Sequence, residues 1–500
     1  MGLSRLLIDA LGMTSVPTSV RSLPVADVTA DSRHVTAGAL FVAIPGIQSD
    51  GSRFIDEAVA NGAVAVVAQS GPRAPCAIPL IRVPDARAAL ARLAATFFGL
   101  ERVQRTGELT VTGITGTNGK STIAFLLRAI LDTAGSKTAL LGTIEYDLVA
   151  RKLKSVLTTP DPIELARHLV EAHRAGARQA VIEVSSHSLA QARTDGIRFA
   201  AAVFTNLTQD HLDYHGDAET YLRAKKRLFD RLDAAAAAVI NADDPASAKI
   251  VADARCRVLT FGLRDDADVS GRILDADRSG TRFALSHEGR TLDVKTPLVG
   301  RHNVSNCLAA AAAALSLGIE LGAVSHGIEF LAWVPGRLQR LPTPTGEFDV
   351  FVDYAHTDDA LRNVLAAVRP LVHGRLWCVF GCGGDRDRTK RPRMARAVAQ
   401  GADRFVITSD NPRTEDPLAI IADVQRGISP ADNPRGQTIV DRARAIRTAI
   451  DSLQPGDVLV IAGKGHEDYQ ILGDERIHFD DVEVAADALA RRKAGVPCAR

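Results

Sequence analysis

The segment Leu109–Ala134 constrains this chain most. A β-branched run, Leu109–Thr115, leads directly into Thr115-Gly116-Thr117-Asn118-Gly119-Lys120-Ser121, and a helical pattern follows from about Ser121 to Ala134. A strand that turns through glycines into a helix is half of a βαβ unit, and such units build parallel sheets. Successive backbone N–H groups in such a turn, with the helix N-terminus behind them, can cradle phosphates. Lys120 would then reach the β- and γ-phosphates and the Ser121 hydroxyl would ligate Mg²⁺. The match is not strict, because Ile114 occupies the first glycine position of the usual pattern. The bland alternative is an Asn-Gly turn with a surface lysine, and the strand and helix flanks argue against it.

The same alternation of short β-rich runs with Ala/Leu-rich helical stretches continues throughout, which argues for α/β domains with mostly parallel sheets. At 500 residues the chain exceeds a single core, because cores stop growing at roughly 250–300 residues. Composition suggests three blocks: residues 1–106, 107–335 and 336–500. The first contains strands Leu40–Ile44 and Ala63–Ala68 and a helix near Ala86–Phe98, and the charged stretch Leu100–Glu108 reads as a linker. The second continues with strands Ala180–Val184 and Ala201–Thr205, the apolar run Ala234–Ile240, and an Ala-rich helix Asn303–Leu317. The third has strands Phe348–Val352, Leu376–Phe380, Arg404–Thr408 and Asp457–Ile461, each ending in a Gly- or Pro-containing loop. Ligands of open α/β sheets bind at strand carboxyl ends, so function should sit in these loops.

Composition excludes several classes. A net charge of +1 gives no electrostatic case for nucleic acid or a membrane surface. No run approaches ~18 apolar residues, and the first residues carry no secretory h-region, so a cytoplasmic protein is expected. The six cysteines are scattered without a C-x-x-C pair and read as reduced thiols; Cys378 and Cys382 lack a second pair that would make a zinc site.

Further chemistry-bearing residues stand at strand ends. Glu183 follows Ala180-Val181-Ile182, and His211 follows Thr205-Asn206-Leu207-Thr208-Gln209-Asp210. The segments Gly113–Ser121, Glu183-Val184-Ser185-Ser186-His187, Asn206–His215, Ala224-Lys225, His302-Asn303-Val304-Ser305-Asn306, Pro335-Gly336-Arg337 and Asp353-Tyr354-Ala355-His356 occur in this order. Together they resemble the Mur ligase family, over about residues 30–480. The resemblance implies a UDP-binding first domain, a central ATPase-type P-loop domain and a Rossmann-like C-terminal domain that receives an amino acid. It implies an ATP- and Mg²⁺-dependent ligase of peptidoglycan precursor synthesis that activates a carboxylate as an acyl phosphate; a monomer acting on small-molecule substrates, without a nucleic-acid or membrane partner, is expected.

Residue by residue, the resemblance implies that Gly116, Thr117, Asn118, Gly119, Lys120, Ser121 and Thr122, with Asn303, Asn306, Arg337, Asp353 and His356, contact ATP. Ser121, Glu183, His211 and Lys225 would surround magnesium, with Lys120, Glu183, His211 and Lys225 as the catalytic set. Lys225 is implied to carry a CO₂-derived carbamate; its own neighbours, Lys226 and Arg227, suggest only a solvated helix lysine. Ser32, Ile47, Gln48 and Ser49 would hold the uridine diphosphate end of UDP-N-acetylmuramoyl-L-alanyl-D-glutamate. Thr158, Thr159, Ser185, Gln191 and Arg193 would hold its dipeptide end. Two departures are visible: Ser121 where relatives often have Thr, and Asp358 where Pro is common.

Asp410-Asn411-Pro412-Arg413 matches the family's recognition sequence for meso-diaminopimelate, whose distal carboxylate suits an Arg fork. Arg391, Gly463 and Glu467 complete the expected amino-acid site. A lysine-adding member and a folylpolyglutamate-synthase-like ligase compete within the class. A P-loop nucleotide switch competes from outside it, but explains only Gly113–Ser121.

Overall fold

The computed structural model describes residues 1–16, 20–46, 50–70, 76–208, 210–343 and 346–493. The chain forms two compact units: Met1–Gly262 with Ala267–Val269 and Ala309–Gly327, and Leu263–Asp266 with Ser270–Leu308 and Ile328–Arg500.

The first unit contains two sheets. The strands Asp27–Thr29, Ala39–Ala43, Ala65–Ala68 and Leu80–Arg82 pair in that order, all parallel. The helices Leu3–Leu11 and Ala86–Phe98 pack on one face, burying Leu3, Leu6, Leu7, Leu90 and Leu93 against Val28, Leu40 and Val67. The second sheet runs Arg257–Gly262, Ala237–Asn241, Ala201–Phe204, Thr110–Thr115, Gln179–Glu183, Thr138–Leu141, again parallel. Two short antiparallel strands, Glu145–Asp147 and Lys152–Lys154, extend it. Val111, Ile114, Val181, Ile182, Ala202 and Val203 are all buried. Covering on both faces explains why these strands read as continuous apolar runs rather than alternating ones.

Register places the site. Thr115 pairs with Phe204, and Ile114 pairs with Glu183. The carboxyl ends of three adjacent strands therefore deliver the glycine turn, Glu183 and the Thr205–Thr208 loop to one edge.

Leu100–Glu108, expected as a linker, contains a helix, Leu100–Arg105. Its charges face solvent, Glu101 pairing with Arg105, while Leu100 and Val103 are buried. Gly99, at φ +87°, is the turn that separates it from the preceding helix. The break expected near residue 106 falls inside the first unit, where Ala86–Phe98 also packs against Pro162–Arg174.

The second unit is a doubly wound sheet. Gln339–Leu341 lies antiparallel at one edge, followed by the parallel strands Asp349–Asp353, Val458–Ala462, Leu376–Cys382, Arg404–Ser409 and Gly436–Thr438. Helices Asp358–Val368, Lys390–Gly401 and Pro417–Gln425 pack on Phe351, Phe380 and Phe405. Arg442–Ser452 and Asp481–Lys493 pack on Val350, Val379 and Ile461. Each fully buried Phe contributes about 1.5–3 kcal/mol of transfer free energy. Two antiparallel hairpins, Gly280–His287 with Arg290–Thr296 and Tyr469–Leu472 with Glu475–His478, carry no helical crossover and stand outside the α/β alternation. No helix of the described residues is long and apolar enough to cross a membrane.

Candidate active site

The glycine turn is locked by its neighbour strand. Asn206 accepts from the Thr117 and Asn118 backbone N–H groups, through its carbonyl and its Oδ1 (2.9 Å each). The Thr205 hydroxyl donates to the Asn118 carbonyl at 2.6 Å. Gly116 has φ +148°, and a Cβ there would lie 1.8 Å from Thr205 Oγ1. No side chain fits at that position. Gly119 caps the helix Lys120–Thr133 at φ +88°. Lys120 Nζ lies over the turn, donating to the carbonyls of Gly116 (3.0 Å) and Thr117 (2.9 Å). Thr122 is buried in the first helical turn.

Glu183 is fully buried, and its carboxylate is held from three directions. Ser121 Oγ donates to Oε2 at 3.1 Å, Thr143 Oγ1 donates to Oε2 at 2.9 Å, and the Thr143 backbone N–H donates to Oε1 at 2.9 Å. Sequence reasoning missed Thr143; it sits just past the strand Thr138–Leu141, an end that the parallel alternation alone could have flagged. Among the described residues no group of three or more His, Cys, Asp or Glu side chains could hold a metal by itself. Ser121 Oγ and the Glu183 carboxylate are nonetheless oxygen donors suited to Mg²⁺, which takes few protein ligands and fills the rest with phosphate and water.

Around this edge lies a cluster of rings. His187 is 4.9 Å from His211, 4.2 Å from Tyr214 and 5.5 Å from His215, centroid to centroid. Burial, reinforced by its imidazole neighbours, pushes the His187 pKa down to about 4. His211 adopts φ +54°, and burial lowers its pKa too. Lys225 is 1% exposed, its Nζ 4.3 Å from the Tyr221 ring centroid. Burial and then the Lys120 charge hold its pKa well below the ordinary lysine range.

Thr159, Ser185, Gln191 and Arg193 form one network. Thr159 Oγ1 donates to the Glu183 carbonyl at 2.8 Å and accepts from the Ser185 N–H at 3.1 Å. Arg193 donates to the Thr159 carbonyl at 2.9 Å and to Gln191 Oε1 at 2.7 Å. Thr158 Oγ1 lies 3.1 Å from Thr143 Oγ1, a hydroxyl–hydroxyl hydrogen bond that links this network to the Glu183 support. Gln191 and Arg193 line a cavity of about 620 Å³ in the same unit, together with Asp27, Asp31, Arg87 and Arg167. Ser32 is buried, and its hydroxyl donates to Glu57 at 2.7 Å. Ile47, Gln48 and Ser49 lie outside the described residues.

In the second unit, Asn303 donates to the Val299 carbonyl (2.8 Å) and Asn306 to Asn303 Oδ1 (3.0 Å). Asp353 is buried and accepts from the N–H groups of Leu338 (2.6 Å) and Ala355 (2.7 Å); burial raises its pKa. The Arg337 guanidinium lies 4.8 Å from the Tyr354 ring centroid, and His356 lies 4.6 Å from the same ring. Asp358 opens the helix that Thr357 caps, so the departure there still starts a regular element.

Asp410, Asn411, Gly463 and Glu467 meet at the ends of Arg404–Ser409 and Val458–Ala462. Asn411 Nδ2 donates to Glu467 Oε2 at 2.9 Å, and buried Lys464 donates to the same oxygen at 3.2 Å. Arg413, which follows Pro412, holds φ +52° because its N–H donates to the Ile471 carbonyl and its own carbonyl accepts from Gly473. Its guanidinium donates to the Gly384 carbonyl at 2.7 Å and stays half-buried.

Arg391 departs from expectation. Its side chain is 1% exposed and donates to Glu415 (2.8 Å), Asp423 (2.9 Å) and the Gly383 carbonyl (3.4 Å), so in this structure its guanidinium is engaged by protein groups. The exposed cations on that loop are Arg386 and Arg388. The run Arg386–Arg393 is rich in arginines, and sequence gives no sign of which one faces inward.

Three family profiles match the chain: "Mur ligase family, catalytic domain" over 24–98, "Mur ligase middle domain" over 114–314, and "Mur ligase, glutamate ligase domain" over 336–465. A UDP-N-acetylmuramoyl-L-alanyl-D-glutamate–2,6-diaminopimelate ligase from Gloeobacter violaceus is 45% identical over 492 residues, covering 98% of this chain and 99% of that one. One of the same description from Solibacter usitatus is 46% identical over 461 residues, 92% of each chain. A solved structure of such a ligase is 35% identical at a TM-score of 0.71, covering 99% of this chain and 100% of that one. MurF from Thermotoga maritima, solved with ADP, shares the fold at 19% identity and a TM-score of 0.61. The chain belongs to the Mur ligase family of ATP-dependent ligases.

Proposed function

We propose that this enzyme adds meso-2,6-diaminopimelate to UDP-N-acetylmuramoyl-L-alanyl-D-glutamate, in the cytoplasm, as a step of peptidoglycan precursor synthesis. Its three functional regions would be 1–106 for the UDP end, 107–335 for ATP, and 336–500 for the amino acid. The observation that carries the reading is the convergence of Lys120, Ser121 and Glu183 at adjacent strand ends, in a chain 45% identical over nearly its full length to a ligase of that description.

The chemistry is acyl activation. A D-glutamyl carboxylate attacks the γ-phosphorus of ATP, the bond to the bridging oxygen breaks, and ADP leaves. Lys120 follows the transferred charge, and the locked turn positions the phosphates. Mg²⁺, held by Ser121, Glu183, His211 and a modified Lys225, would neutralise phosphate charge. The amine of the amino acid then attacks the acyl carbon, and phosphate departs with both electrons of the C–O bond. No enzyme nucleophile is required.

Lys225 supports its assigned role through its surroundings. Only a neutral amine attacks CO₂, and burial favours the neutral form of this lysine. The product is a carbamate anion and a released proton, which turns a repelling ammonium into an oxygen ligand. Arg413 supports diaminopimelate over lysine, since its half-buried fork suits the second carboxylate. Glu467 and Asp410 suit the distal ammonium. The test is wild-type kinetics with each amino acid. Diaminopimelate should exceed lysine in kcat/KM by roughly 10³, because lysine offers the Arg413 fork no carboxylate. A preference for lysine would overturn the assignment.

A further inference from the structure

Beneath the proposed amino-acid site lies a buried charge pair that the chemistry above does not use. Arg442, the first residue of the helix Arg442–Ser452, and Asp481, the first of Asp481–Lys493, both have side chains 0% exposed. Arg442 Nε and Nη2 donate to the two oxygens of Asp481 at 2.7 Å each. A pair that only joined two helices would end there. Arg442 Nη2 also donates to the carbonyl of Ala462 at 2.9 Å, and Ala462 closes the strand that delivers Gly463-Lys464 and Glu467. Its Nη1 is buried without a hydrogen-bond partner among the described atoms.

Gly463 shows where that guanidinium faces. At φ +121° it stands between Arg442 and Asp410: a Cβ there would lie 2.7 Å from Asp410 Oδ2 and 3.8 Å from Arg442 Nη2. The absence of a side chain lets the buried cation approach the buried Asp410 carboxylate. The Asp410 and Glu467 charges both act on Arg442. Desolvated carboxylates are costly unless a cation offsets them. Lys464 offsets Glu467 directly, at 3.2 Å, whereas Asp410 forms no ion pair within 4 Å among the described residues and faces Arg442 across the glycine.

The geometry points to Arg442, oriented by Asp481, as a positioning residue of the amino-acid site. It fixes the Ala462–Gly463 backbone and keeps the Asp410 and Glu467 carboxylates facing the ammonium of the incoming amino acid. This rests on the function proposed above and adds to it the residue that sets the site's charge.

The test uses full-length enzyme and two variants, Arg442→Lys and the double variant Arg442→Met/Asp481→Leu. Removing a buried pair together, in favour of apolar residues of similar volume, is often neutral for stability. KM is measured separately for diaminopimelate, ATP and the UDP-sugar peptide, with thermal unfolding as the check on folding. Residues that orient ligating groups from behind are worth about 10–100-fold. The double variant should raise KM for diaminopimelate by at least about tenfold and leave KM for ATP within about twofold. Arg442→Lys keeps the charge but not the fork, and should give a smaller rise in the same KM alone. If the double variant does not fold, Arg442→Lys decides. A folded variant of either kind whose KM for diaminopimelate moves no more than its KM for ATP would reduce the pair to a brace between helices. Wild-type enzyme that does not turn over with diaminopimelate would instead overturn the functional reading.

Discussion

Thr143→Val removes one hydroxyl and almost no volume. That hydroxyl donates to Glu183 Oε2 at 2.9 Å, and its oxygen lies 3.1 Å from Thr158 Oγ1. Two donors to the carboxylate remain: Ser121 Oγ at 3.1 Å and the residue-143 backbone N–H at 2.9 Å. A hydrogen bond to a charged group is worth about 1.5–3 kcal/mol, so the carboxylate loses orientation by that amount. If Glu183 serves phosphoryl transfer, kcat should fall roughly 10- to 100-fold. Folding stability should fall by a comparable amount, about 1.5–3 kcal/mol, because the buried carboxylate loses a donor that water cannot replace, so activity is compared on folded enzyme. The assay is ADP release at saturating substrates across a magnesium titration, with Thr143→Ser as the control. The serine variant retains the donor and should stay within about threefold of wild type. A folded Thr143→Val enzyme with kcat within twofold of wild type would refute the claim that this hydroxyl orients Glu183.

Lys225→Ala should lose at least about 100-fold in kcat and recover part of it with an added short carboxylate, which can occupy the vacated ligand position. Full activity without rescue would remove Lys225 from the site. Arg413→Ala should lose roughly 10³-fold in diaminopimelate kcat/KM while its slight lysine activity stays unchanged; a mutant that keeps the wild-type preference would make Arg413 a turn residue. Acid should destabilise the fold in a defined window. Burial lowers the pKa of His187 and of His302 to about 4 from 6.5, so the unfolded chain binds more protons between those values. Stability should be complete above about pH 6.5 and fall as pH drops toward 4; denaturant midpoints that stay flat across that range would contradict it.

The α/β alternation was legible because the parallel strands are covered on both faces and so stand out as apolar runs. Ala86–Phe98 was legible to the residue, since Asp85 caps it and Gly99 ends it. The helix Leu100–Arg105 was not, because its two buried residues, Leu100 and Val103, are hidden among charges that suit a linker equally well. The hairpin Gly280–His287/Arg290–Thr296 was missed because it sits outside the repeating pattern. Within the site, the glycine turn is written in sequence, as Gly116 leaves room for Thr205 alone. The support of Glu183 by Thr143 is not, since it depends on register between strands 40 residues apart along the chain. The inward turn of Arg391 is likewise decided by Glu415 and Asp423, which are distant in sequence and carry no mark of their role.

The central claim is that ATP cleavage here is coupled to amide formation. ADP release should be measured with UDP-N-acetylmuramoyl-L-alanyl-D-glutamate and meso-diaminopimelate together, and with each omitted in turn. The account predicts one ADP and one phosphate per tripeptide product, and negligible steady-state turnover when either substrate is missing. Robust ATPase activity indifferent to both substrates would contradict it and leave the glycine turn as the site of a nucleotide switch.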